Sequence, residues 1–245
     1  MGISTEATGT VEVRPLVAGS ALAPAAVGMS VAMVLIVVVG SAGFNDQRLA
    51  LLLGYLCVWV PLVAAVVVAG GRPGAAFWVR GLRLTLRPID LIWGLGVGLL
   101  ARTVASLIEI WGYGGVGSTG VQLGETVYDA WWVFGTLLAP VLLAPVIEEV
   151  FFRGLVLRAV HGQTMAHRAT WAAAPIAVGV SGLTFALLHL MALSLSNTTT
   201  VLVVGSATLV VGLATAWLAL ATGRIGGAII AHVTFNALVI LPAFV

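Results

Sequence analysis

The chain has 245 residues, of which 60% are hydrophobic and 8% charged, and its mean hydropathy is +1.14. Soluble domains carry about 25% charged residues, so composition excludes an ordinary water-soluble globule. The formal charge of +2 rests on eleven basic residues, all arginine and spread among loops rather than patched, which excludes a nucleic-acid surface.

Residues 1–23 carry Glu6, Glu12 and Arg14, and the apolar stretch behind them is too long for a signal-peptide h-region. They read as a short N-terminal tail. About 20 apolar residues span a bilayer as a helix. On that ruler the chain is all-α, a polytopic membrane helix bundle with seven predicted transmembrane helices at about 24–43, 49–70, 90–110, 130–157, 172–195, 198–221 and 225–244. Cys57, the single cysteine, sits inside the second span and has no partner for an internal disulfide.

Between the second and third spans, residues 72–88 interleave arginines with Phe77, Trp78, Leu82, Leu84 and Leu86, a pattern suited to anionic headgroups. The stretch 110–130 leaves room for an eighth, partial or re-entrant span, and its Gly-rich part, 112–120, reads as a flexible connector. The fifth and sixth spans form a tight hairpin around Ser196 and Asn197. The organisation expected is a tail (1–23), N-terminal spans with the basic segment (24–129), and a catalytic core (130–245).

Arg14, Arg72, Arg80, Arg83, Arg87, Arg158, Arg168 and Arg224 fall on one side of this arrangement, and only Arg48 on the other, with Asp46, Glu125 and Asp129. The positive-inside rule puts the arginine-rich side in the cytoplasm. The N-terminus is then cytoplasmic and, after seven spans, the C-terminus lies outside.

Ionisable residues inside spans each cost about 2.5–3.5 kcal/mol on translocon scales, so they mark candidate chemistry. The fourth span holds Glu148, Glu149 and Arg153 in the run APVIEEVFFRG. Glu149 and Arg153 are i,i+4 with the acid first, the favourable order for an ion pair. Glu148 points about 100° away and is left free to tune its proton affinity in a low-dielectric site. Pro140 and Pro145 should kink the helix and release carbonyls toward a cavity. His189 follows Phe185 by four residues in the fifth span, and Asn236 follows His232 by four in the seventh. His161 and His167 lie in the arginine-bearing loop and are expected to be solvated. Arg102 and Glu109, seven apart in the third span, are expected to be too far apart for direct contact and to have structural roles.

A carboxylate with a histidine in a shielded pocket can deprotonate water for attack on a carbonyl, and a second histidine with an asparagine can donate to the developing oxyanion. A serine route is weaker: Ser181 and Ser194 flank His189 without a GxSxG context or a buried Asp. Glu148, His189 and His232 would also make a two-His, one-carboxylate zinc set, although no HExxH is present and three helices would have to converge. Metal-free chemistry with no cofactor is preferred, with zinc the alternative.

At these residues the sequence resembles the CAAX protease and bacteriocin-processing family (CPBP, or Abi), whose eukaryotic relative trims prenylated CAAX proteins. The family's Glu-Glu-x-x-x-Arg, Phe-x-x-x-His and His-x-x-x-Asn/Asp motifs match Glu148, Glu149 and Arg153, then Phe185 and His189, then His232 and Asn236, in order, over about residues 130–240. The resemblance implies that Glu148 and His189 activate water, that His232 and Asn236 bind the oxyanion, and that Glu149, Arg153 and Phe185 support the site. The expected function is an intramembrane endopeptidase of the cell membrane, acting on a peptide or membrane-protein substrate within the lipid bilayer. A proton-coupled transporter, or a non-catalytic scaffold of the same fold, is the alternative. The active site is expected to open toward the cytoplasm. His189 lies about 25 Å into its span as drawn, too deep to share that cavity unless the helix begins later, near Pro175.

Overall fold

The structure is a computed structural model, and it describes residues 18–70, 81–116, 129–167, 170–193 and 197–241. Among them, seven helices run back and forth: α1 (Ala18–Ser41), α2 (Gln47–Gly70), α3 (Pro88–Tyr113), α4 (Ala130–Ala166), α5 (Thr170–Met191), α6 (Thr198–Thr222) and α7 (Gly226–Ile240). Six are long and apolar enough to cross a bilayer, and the seventh, α7, has 15 residues. The tail before Ala18, most of the basic segment, and residues 117–128, where a partial span had room, lie outside the described residues.

Local sequence explains the helix ends. Pro88, with its fixed φ, opens α3, and Asp90 in the first turn accepts from the Arg87 N–H at 2.8 Å. The Asn197 side chain caps α6 by accepting from Thr200 N at 3.0 Å, and α6 stops at Gly223, whose φ of 69° is left-handed. On α3 the exposed Trp93 and Trp111 lie near the two ends, about 27 Å apart along the axis. That spacing matches a hydrocarbon core about 30 Å thick with an aromatic belt at each edge.

The helices pack through small residues, as membrane helices must where lipid offers no hydrophobic drive. A Cβ on Gly94 would sit 2.5 Å from Ile230 Cβ and one on Gly98 2.6 Å from the Ala231 carbonyl oxygen, so α3 and α7 meet nearly backbone to backbone. Gly182 and Gly212 do the same for α5 and α6, where a Cβ on Gly212 would lie 2.9 Å from the Gly182 carbonyl oxygen. Leu62 and Val66 of α2, Phe151, Phe152 and Leu155 of α4, and Phe185 of α5 fill the core between these pairs.

At the arginine-bearing end the chain is tied down. Asp90, fully buried, takes the Arg224 side chain on both oxygens, with Nε at 2.8 Å from each and Nη2 at 2.6 Å. The side-chain hydrogen bond to Asp90 holds the Arg224 guanidinium above its ordinary pKa. Ile225 N donates to the Arg83 carbonyl at 3.1 Å, and Leu82 is fully buried against Gly154. The described end of the basic segment is therefore docked on protein rather than laid on headgroups.

Three expectations about the elements are corrected. The fourth helix does not stop near 157 but continues to Ala166, so His161 is helical and the exposed His167, 3.0 Å from Gln163, follows the helix end. The fifth helix does not begin near Pro175 but at Thr170, with Pro175 inside it. Arg102 and Glu109 do make direct contact, through two hydrogen bonds of 2.6 and 3.0 Å, and both are buried. Two turns of helix separate their backbones, but both side chains are long and lie along one face, so the fork of the arginine closes the distance.

Candidate active site

The site is built on α4, and α4 owes its shape to two prolines. Its stretches Val133–Leu143 and Val150–Val156 are π-helical, on either side of an α-helical turn at Ala144–Glu149. In the wider coil each N–H reaches back five residues, as Ala144 N does to the Ala139 carbonyl and Leu157 N to Phe152. Pro140 and Pro145 have no N–H to give. The carbonyls five residues before them, Gly135 and Pro140, therefore lose their helical donors. Both are served from neighbouring helices: Tyr55 Oη of α2 donates to Gly135 O and Asn236 Nδ2 of α7 to Pro140 O, each at 2.8 Å. Prolines thus create two acceptors inside the membrane, and the neighbours that satisfy them become fixed beside the acidic turn.

One turn further on, Glu149 and Arg153 are completely buried and paired, Oε2 to Nε at 3.1 Å. Arg153 also donates to the Gly212 carbonyl at 2.9 Å and to the Thr215 hydroxyl, and its guanidinium lies 4.7 Å from the centre of the Phe185 ring. The second oxygen of Glu149 meets His232 Nδ1 at 2.9 Å. An ionised Glu149 only accepts, so Nδ1 carries hydrogen and Nε2 is turned toward Glu148, 3.8 Å away. His189 is set the same way: its Nδ1 lies 3.0 Å from the Phe185 carbonyl, and Nε2 faces Glu148 at 3.9 Å. Phe185 spaces the two imidazoles, with ring centres 4.4 Å from His189 and 5.3 Å from His232. Ser181 donates to the Phe152 carbonyl at 3.1 Å, which fixes α5 on α4 and leaves the hydroxyl engaged. Ser194 lies outside the described residues.

The sequence-chosen residues Glu148, Glu149, Arg153, Phe185, His189, His232 and Asn236 are thus brought together from α4, α5 and α7. The long α4 resolves the depth of His189. Glu148 lies about 27 Å from the end of α4, and His189 about 28 Å from the start of the antiparallel α5, so the two meet at one level. Tyr55 was missed by sequence reasoning. The five-residue proline spacing was its only signal, and that spacing names no partner.

A cavity of about 600 Å³ adjoins Glu148 and His189. Its other wall is α1 and α2, including Gly40, Gly54, Tyr55 and Trp59, and it reaches Gly43 and Phe44 in the turn between them. That turn is at the end of the bundle opposite Arg83, Arg158 and Arg224. The described lining of the cavity thus extends toward the end opposite the arginines.

The three facing atoms can be tested against a metal. The donor types suit zinc, because imidazoles in their neutral form would present Nε2 lone pairs there. Tetrahedral bonds of about 2.0–2.1 Å would put ligand atoms about 3.3–3.4 Å apart, and Glu148 Oε2 stands at 3.8 and 3.9 Å from the two nitrogens. Among the described residues no group of three or more His, Cys, Asp or Glu is drawn together closely enough to hold an ion. Both gaps are too long for direct hydrogen bonds.

Acids and imidazoles brought together on crossing apolar helices, beside a cavity, fit a multi-pass membrane protein with a polar cluster in its interior. Residues 130–238 match the family described as type II CAAX prenyl endopeptidase Rce1-like. Over that stretch the chain is similar to this family of CAAX prenyl endopeptidases. Searches of curated proteins and of solved structures returned no match.

Proposed function

We propose that the chain is an intramembrane endopeptidase that hydrolyses a peptide bond with a water activated at Glu148. What supports the reading is the single carboxylate oxygen held 3.8–3.9 Å from two imidazole nitrogens beside a cavity. The Glu148 carboxylate takes a proton from the water, and His189 Nε2 accepts its other hydrogen and orients the oxygen lone pair. That oxygen adds to the substrate carbonyl carbon. The negative charge moves to the carbonyl oxygen, where a protonated His232 Nε2 and the second amide hydrogen of Asn236 donate to it. Glu149 at His232 Nδ1 fixes the orientation of the ring. Collapse breaks the C–N bond, the proton held on Glu148 passes to the leaving nitrogen, the remaining water hydrogen passes to His189 Nε2, and a carboxylate and an amine result. Each step uses this chain's own residues; zinc at Glu148, His189 and His232, if bound, would supply Lewis-acid activation of the same water.

The proposed placement in the membrane has the N-terminus and the arginine-bearing end in the cytoplasm, so that the cavity opens on the outer side.

The deciding experiment compares wild-type protein and Glu148→Gln in proteoliposomes on a diverse peptide library, with cleavage read by mass spectrometry. Wild-type cuts that fall at least about 100-fold in the variant are expected, the size of a lost general base. The same cuts should persist in a chelator. Equal cutting by both proteins overturns the peptidase reading, and loss with chelator alone moves the chemistry to a metal.

A further inference from the structure

The cavity has two walls of different origin. Glu148 and His189 stand on one, within residues 130–238, while Gly40, Gly54, Tyr55 and Trp59 stand on the other, which is outside the family match. The second wall carries no charge, and the Tyr55 hydroxyl is engaged on Gly135. Tyr55 stacks on Trp59 with ring centres 4.8 Å apart, which makes a flat apolar surface within the cavity. Gly40 and Gly54 leave space where other residues would fill it: a Cβ on either meets nothing within 4 Å.

We infer that α1 and α2 form the specificity subsite of the enzyme, taking a bulky uncharged side chain of the substrate next to the bond cut at Glu148. The inference rests on the peptidase reading. Its substrate class is a peptide or exposed membrane-protein segment with a large aliphatic or aromatic residue at that place, entering from the end where α1 turns into α2. A charged side chain is rejected because burial in this wall would strip its water with no partner in return. A volume of about 600 Å³ is within the range of about 300–1,000 Å³ for sites that enclose a ligand. Gly40 and Gly54 set the size limit, and the aromatic pair supplies the contact.

Cys57, the single thiol of the chain, also lines this cavity and reports on it directly. The test uses the full chain in proteoliposomes, with peptides that differ at one central position: Ala, Leu, Phe, Trp or Asp. In wild type the Phe and Trp peptides should have the highest kcat/KM and the Asp peptide the lowest. In Gly54→Leu and Gly40→Leu the Phe-to-Ala ratio of kcat/KM should fall at least tenfold. An unchanged ratio in folded variants overturns the inference while leaving the peptidase reading intact. Separately, alkylation of Cys57 by N-ethylmaleimide in Glu148→Gln protein should slow with the Phe peptide and not with the Asp peptide. Equal protection by both, or by neither, overturns the subsite. If no peptide is cut in a Glu148-dependent way but protection is selective, the peptidase reading fails and the binding wall stands.

Discussion

Arg153 has no exposed surface, and its charge is answered entirely by protein: Glu149 on its own helix, the Gly212 carbonyl and Thr215 on α6, and the Phe185 ring on α5. Removing one partner of such a pair leaves a bare charge in a medium that cannot solvate it, which costs about 3–5 kcal/mol. Arg153→Ala should therefore lower stability by about that amount, read from thermal unfolding in detergent. Arg153→Met with Glu149→Gln should recover part of the loss, because both charges go together. Glu148 behaves differently: with its two imidazoles at non-bonding distance, Glu148→Gln should change the unfolding temperature little while stopping hydrolysis. The motif residues were legible because charge inside an apolar run has few explanations. The Arg102–Glu109 pair was not, because axial spacing alone ignores how far two long side chains reach toward each other.

At the scale of elements, the π-helical start of α4 ties chemistry to assembly. Gly135 and Pro140 need donors from outside the helix, and Tyr55 and Asn236 supply them. Leaving a buried carbonyl unserved costs about 1–3 kcal/mol, so Tyr55→Phe should destabilise by that order. Pro140→Ala gives Gly135 a backbone donor again, and in that background Tyr55→Phe should cost measurably less. A double-mutant cycle on unfolding free energies reads the coupling, and a coupling near zero would mean that Tyr55 acts only by packing. The sequence pointed to freed carbonyls here, from the prolines. It could not name their partners, because helix period says which residues share a face and nothing about which neighbour faces them. The true length of α4 was hidden for a related reason: its last turns, LRAVHGQTMA, are polar and read as loop once hydropathy falls.

At the scale of the molecule, the six membrane-length helices and one shorter apolar one among the described residues were legible as apolar runs. The side on which the cavity opens was not, since no local pattern records which half of a bundle is hollow. The consequence for topology can be measured. In a Cys57→Ala background, a charged thiol reagent added to intact cells should modify Asn45→Cys, in the α1–α2 turn, and spare His167→Cys, beyond α4. The reverse pattern would place the cavity on the cytoplasmic side. The paired carbonyls of α4 also bear on how such a bundle finds its order after insertion. Helices already in a bilayer can slide past one another by a turn with little change in lipid contact. Here a one-turn slip of α2 or α7 against α4 would leave a buried acceptor unserved, at the cost of about 1–3 kcal/mol given above. Two prolines five residues apart therefore act as a keyway: they admit the neighbouring helices at one height, and that height brings His232 level with Glu148.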